Sequence, residues 1–291
     1  MLPESQFTCI ADVKAVLGEG PVWVEREKAL YWVDIKGRKI FRRCADGVVK
    51  RWDTPLRVGS LIPRSKGGFV AGTDEGLAEA DPEAGQYRVI ANPEPALPDN
   101  RFNDAKVDRA GRLWAGTMDD SETQSTGALY RFDSAHRWTT VDSDYAVTNG
   151  PAFSPAGDVL YHNDSARQLT YAFDLDAGGN ASNRRTFARY GEGDGYPDGM
   201  TVDREGCLWI AFWDGWCVRR LSPGGELLAT FSLPVQRPTS CAFGGDGFNQ
   251  LFVTSARIGL DEAERAAQPY AGGLFMLDAP VSGLAELPFA G

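Results

Sequence analysis

The 291-residue chain is 43% hydrophobic and 24% charged, a balance that suits a folded globular protein and excludes a disordered one. Forty acids against 30 bases give a net charge of -10, and no Lys/Arg run offsets it, so nucleic acid and anionic membrane surfaces are set aside as partners. No apolar run reaches the roughly 20 residues of a membrane span, residues 1–7 do not read as a secretory leader, and five cysteines without a C-x-x-C pair suit reduced thiols; a cytoplasmic location is expected.

The first predicted strand is Phe7-Thr-Cys-Ile-Ala11. A short apolar strand signal, mostly Leu followed by an aromatic residue, then recurs at Leu30, Phe69, Leu113, Leu160, Leu208 and Leu251, with spacings of 39, 44, 47, 48 and 43 residues. Gly111, Gly157, Gly206 and Asn249 mark turns just before four of these signals. Further strands follow at Ala128–Asp133, Leu169–Asp174, Val218–Pro223 and Gly273–Asp278, so each unit reads as an antiparallel meander. The one helical pattern, Asp261 to Ala267, is a turn or two long. A period near 45 residues of short strands is the pattern of propeller blades. The expected architecture is therefore all-β, a six-bladed β-propeller occupying residues 1–291 as one domain. The first strand would pair with the last blade to close the ring and remove an exposed edge.

Ten to twelve residues before each strand signal, every unit begins with a short segment: Glu19-Gly-Pro, Gly59-Ser-Leu, Asn103-Asp-Ala, Asn149-Gly-Pro, Asp198-Gly-Met and Thr239-Ser-Cys. In a propeller these positions lie at the start of the innermost strands, so they form a ring at one mouth of the channel. Asn-Gly and Asp-Gly are also tight-turn signals. Proline at 21 and 151 argues against ordinary hairpins at two of these places. Two carboxylates with amide oxygens make a donor set for a hard divalent cation, whose charge they would neutralise. Arg57, Arg101 and Arg237 each stand two residues before a ring position, where cations would attract an anionic or polyhydroxylated substrate; Arg57 and Arg237, taken singly, read more simply as solvated loop residues. With only His136 and His162 present, a histidine-rich zinc site is hard to build. His162 reads as a core residue, and without a Gly-x-Ser-x-Gly elbow a Ser-His-Asp hydrolase is disfavoured.

The segments Leu17-Gly-Glu-Gly-Pro21, Arg101-Phe-Asn-Asp104, Gly111-Arg-Leu-Trp-Ala-Gly-Thr-Met118, Thr148-Asn-Gly-Pro151 and Tyr196-Pro-Asp-Gly-Met200 resemble, in order and along the whole chain, those of the senescence-marker-protein/gluconolactonase (regucalcin-like) family. The bacterial sugar-acid lactonases of that family, xylonolactonases and arabinonolactonases, are the nearest in pattern. The resemblance implies a metal-dependent hydrolase that opens a sugar-acid lactone, a pentonolactone or gluconolactone. Its one divalent cation (calcium, magnesium, manganese, ferrous iron or zinc) would sit on Glu19, Asn149 and Asp198. Asp198 would double as general base, with Arg101 and Asn103 binding substrate. Some members use an acid just after the Gly-Thr-Met segment; here Asp119-Asp120-Ser121-Glu122 follows, and Ser121 takes the aligned position. An organophosphate or aryl-ester hydrolase on the same scaffold, and a non-catalytic calcium-binding propeller, are the alternatives. Substrate choice would fall to channel-mouth loops such as Trp213–Trp216 and Pro269–Gly272.

Overall fold

A computed structural model of the chain describes residues 6–134 and 137–291; His136 lies outside them. Six four-stranded antiparallel sheets follow one another as the blades of a propeller. The innermost strands are Gly18–Val24, Val58–Pro63, Asn100–Val107, Thr148–Phe153, Tyr196–Val202 and Pro238–Gly244. All six strand signals fall in the second strand of a blade. The strand Thr8–Ala11 pairs with Leu274–Asp278, so the N-terminal segment supplies the outer strand of blade six and closes the ring as expected.

The run of consecutive apolar residues in each second strand has a packing reason. Side chains alternate between the two faces of a sheet, and here both faces are covered by neighbouring blades. Leu30 and Trp32 pack with Phe252 and Leu274 of blade six, while Ala29, Tyr31 and Val33 pack with Val58, Leu61 and Phe69 of blade two. Equivalent clusters fill the other blade interfaces. The core is thus a circle of wedges around a channel.

In blades three and five the turn between first and second strands is built by an Asp side chain. Asp108 accepts from the backbone N–H of Ala110 and Arg112 and from Trp114 Nε1 (2.9, 3.0 and 2.9 Å). Asp203 does the same for Glu205, Cys207 and Trp209 (2.9, 3.0 and 2.9 Å). Gly111 and Gly206 follow at φ of 84° and 82°, a left-handed conformation that glycine adopts without strain. The short helix Glu262–Ala267 starts on a capping box between Asp261 and Glu264.

All five thiols are unpaired, and no helix among the described residues is long and apolar enough to cross a membrane. The opposite mouth of the channel is crossed by the C-terminal segment. Its Glu286 accepts a hydrogen bond from Lys106 Nζ (2.9 Å), and the N–H of its buried Phe289 donates to Pro63 O (2.8 Å).

His162 is a core residue, as read from sequence, and its ring nitrogens find no protein partner. It is fully buried and edge-on to Tyr145 at 4.7 Å between centroids. Burial, aided by the nearby Arg184 cation, lowers its pKa to about 3. The unfolded chain takes up this proton near pH 6.5 while the fold refuses it until about pH 3. Stability at this residue is therefore complete above about pH 6.5 and declines as pH falls through that window. By linkage the decline at pH 5 is about 2 kcal/mol. Urea melts of His162→Phe at pH 7 and pH 5 should show a loss smaller than the parent's by about that amount.

Candidate functional site

In all six innermost strands the pairing with the second strand slips near the ring position. The shifts lie between Glu19 and Val22, Val58 and Ser60, Phe102 and Ala105, Asn149 and Ala152, Pro197 and Met200, and Pro238 and Cys241. A bulge releases residues from the ladder and re-aims their side chains. Here it also accommodates Pro21 and Pro151, which have no N–H to give. The bulges account for the Glu-Gly-Pro and Asn-Gly-Pro segments, which are not hairpin turns.

Four of the six ring residues, Glu19, Asn103, Asn149 and Asp198, line one cavity of about 540 Å³ together with Arg101, a volume suited to a small ligand. The other two serve the scaffold. Thr239 donates through Oγ1 to Gly18 O, tying blade six to blade one. Gly59 lets Asn103 approach: a Cβ there would lie 2.7 Å from Phe102 O and 3.2 Å from Asn103 Cα. The side chains of Glu19, Arg101, Asn103, Asn149 and Asp198 all belong to residues at most 6% exposed.

A hydrogen-bond chain runs through the cluster. Arg101 Nη1 donates to Asn103 Oδ1 (2.6 Å), and Asn103 Nδ2 donates to Thr148 O (2.7 Å) and Asn149 Oδ1 (2.8 Å). Asn149 Nδ2 donates to Ser165 Oγ (2.8 Å), which donates to Pro197 O (2.6 Å). Asn163 Nδ2 donates to Asp198 O (2.6 Å).

The carboxylates are strained electrostatically. Burial, and then the neighbouring Asp104 charge, hold Glu19 well above its ordinary range. Burial, then Glu19 and Asp104, do the same to Asp198. Asp104, which accepts from Gly150 N (2.9 Å), is raised to about 6, chiefly by burial. Buried like charges are costly; Arg101 and Lys106 offset only part of that cost for Glu19 and Asp104, and a hard cation among them would relieve more of it. Glu19, Asp198 and the Asn149 amide oxygen fit such an ion as oxygen donors. Among the described residues no group of three or more His, Cys, Asp and Glu side chains is arranged for a metal, so the amide oxygen is needed to complete the set.

A second cluster forms the wall beside Arg101. Asp120 accepts from Arg101 Nε (2.7 Å), from Lys36 Nζ (2.9 and 3.0 Å to its two oxygens) and from Arg57 Nη1. Burial tends to raise the Asp120 carboxyl, yet the three cations hold it well below the usual range. Arg57 is thus not a solvated loop residue: its Nε also bonds Asp74 (2.9 Å). Arg237 is likewise fixed, donating to Asp214 (2.7 Å) and stacking over Trp213 with 4.8 Å to the ring centroid; both it and Trp213 line the cavity.

After the Gly-Thr-Met segment, Ser121 turns away to bond Asp119 (2.7 Å), and Glu122, at φ 60°, is the acid that lines the cavity. That one-residue displacement comes from the turn at Asp119, invisible to a linear alignment. Lys36, Ser165 and Glu122 were not among the residues read from sequence as site members. Pro269–Gly272 does not line the cavity; Pro269 O accepts from Lys14 instead.

Comparison with known proteins agrees with this architecture. Residues 17–257 match the family described as SMP-30/Gluconolactonase/LRE-like region. The chain is 38% identical over 287 residues to 6-deoxy-6-sulfogluconolactonase of Pseudomonas putida, covering 97% of this chain and 98% of that one. It is 36% identical over 294 residues to L-arabinolactonase of Azospirillum brasilense, covering 99% and 97%. The crystal structure of a calcium-binding protein, regucalcin, from Agrobacterium tumefaciens superposes with a TM-score of 0.92 at 28% identity, covering 97% and 96% of the two chains.

Proposed function

Because the chain belongs to the SMP-30/gluconolactonase/LRE-like family, we propose that it is a lactonase, a carboxylic ester hydrolase that opens a sugar-acid lactone with the help of one divalent cation. Two relatives named for sugar-lactone hydrolysis, each aligned over nearly the full length, support the substrate class. The observation that carries the reading is the convergence of Glu19, Asn149 and Asp198 with Arg101 and Asn103 on one cavity.

Glu19, Asn149 and Asp198 would hold the cation, with calcium, magnesium, manganese, ferrous iron or zinc as candidates. When bound it would supply Lewis-acid stabilisation for the charge that develops on the lactone carbonyl oxygen. Asp198 takes a proton from the attacking water as that water's oxygen bonds the carbonyl carbon. The ring C–O bond then breaks as its oxygen takes that proton back from Asp198, leaving the hydroxyl of the hydroxy-acid product and restoring the carboxylate. Arg101 and Asn103 orient the ring oxygens, and their rigid bonding to Asp120 and Thr148 prepays the positioning. Glu122 offers an acceptor for a sugar hydroxyl on the same cavity wall.

Stripping the protein with a chelator should abolish hydrolysis of xylono-, arabinono- and gluconolactone, and re-adding divalent ions singly should restore it. In the same samples, saturation at 1,000 times Kd should stabilise the fold by about 4 kcal/mol, or about 7 °C for a chain of this size. Undiminished turnover in metal-free protein would overturn the mechanism. Faster turnover of a phosphotriester than of every lactone would overturn the substrate class.

A further inference from the structure

We propose that Ser165 is a positioning residue that fixes which end of the Asn149 amide meets the cation; the inference rests on the reading of Asn149 as a ligand. Only the oxygen of that amide can serve a cation, and an amide can rotate half a turn at little cost in shape. Something must select the oxygen.

The hydrogen-bond chain does so from both ends. A carbonyl oxygen can only accept, so Ser165 Oγ, 2.6 Å from Pro197 O, spends its single proton there. Towards Asn149 the hydroxyl therefore has only lone pairs to offer, and the atom 2.8 Å away must be Nδ2. Oδ1 is left facing Asn103 and the cavity. At the other end a guanidinium can only donate, so Arg101 fixes Asn103 Oδ1 towards itself and Nδ2 towards Thr148 O and Asn149 Oδ1. A flipped Asn149 would set its NH2 against that of Asn103 and its oxygen against the lone pairs of Ser165. Every link has one permitted sense.

The same hydroxyl joins two blades. Ser165 directly follows the second strand of blade four, whose Asn163 donates to Asp198 O while accepting from Thr170 Oγ1 (both 2.6 Å). Ser165 and Asn163 thus hold the consecutive carbonyls of Pro197 and Asp198 in blade five. The strand that orients Asn149 also locates the backbone of the proposed neighbouring ligand.

The test is calorimetric titration of Mn²⁺ into the chelator-stripped full-length protein, with near-UV circular dichroism as the check on folding. Loss of a partner that orients a metal ligand typically weakens affinity 10–100-fold. Ser165→Ala is expected to raise Kd by about that factor, and Ser165→Thr, which keeps the hydroxyl, to stay within about 3-fold of the parent. If Ser165→Ala fails to fold, Ser165→Cys, a poor donor and acceptor at the same place, should show the same weakening. Unchanged Kd in the folded Ala or Cys variant, or equal weakening in Ser165→Thr, overturns the proposal. Asn149→Ala separates the two levels: if it leaves Kd unchanged, the ligand reading itself fails; if it weakens binding while Ser165→Ala does not, only the positioning role fails.

Discussion

Asp198→Asn is expected to lower kcat by about 10³-fold, the middle of the range for loss of a positioned general base. Asparagine keeps an oxygen donor, so Mn²⁺ should still bind, more weakly than to the parent. The amide cannot accept the proton of water, so added metal should not restore the rate. A second readout follows from the electrostatics. Asp198 is buried beside Glu19 and Asp104, and burial and those charges work against its ionised form. Without cation, Asp198→Asn should therefore melt higher than the equally stripped parent, and with saturating cation the order should narrow or reverse. Such an exchange of stability for activity is common where a site concentrates like charges. Wild-type turnover by Asp198→Asn at saturating metal would remove Asp198 from the role of base.

The second large effect is expected at Arg101. Arg101→Ala should reduce kcat/KM on a sugar lactone by about 100-fold, the scale of a lost positioning contact, with Kd for Mn²⁺ nearly unchanged. Metal is retained because Asn103 stays anchored through Nδ2 to Thr148 O, keeping its orientation towards Asn149. Asp120 also keeps Lys36 and Arg57 as partners, so the wall should not collapse. Arg101→Lys should recover little. The guanidinium reaches Asp120 through Nε and Asn103 through Nη1 at once, a fork that an ammonium cannot reproduce. Loss of metal binding in Arg101→Ala would mean that Arg101 supports the ligand set and not the substrate.

Much of this site was legible because a propeller repeats. Glu19, Asn103, Asn149 and Asp198 each stand ten or eleven residues before a strand signal, and equal register in successive blades places them at one mouth. Thr239 and Gly59 share the register without lining the cavity. Periodicity locates a backbone position; what its side chain does depends on its length and its neighbour. The Asn-Gly and Asp-Gly pairs proved to sit on bulges, a feature set by cross-strand pairing that no single segment encodes.

By itself the sequence determined the all-β class, the six units, the closing N-terminal strand and the ring that faces the channel, because these follow from strand periodicity and from burial on both faces of each blade. Only the tertiary structure decided the loop-borne parts of the site. Lys36 and Asp120 are 84 positions apart and Arg57 and Asp120 are 63 apart, and loops carry no period from which such meetings can be read. The replacement of Ser121 by Glu122 in the cavity came from a local turn, and the role of Ser165 from a hydrogen bond across two blades. The C-terminal segment, patternless in sequence, stoppers the far mouth because Lys106, Glu286 and Phe289 find partners there. Repeats specify where inner strands begin; closure of the ring specifies which side chains meet.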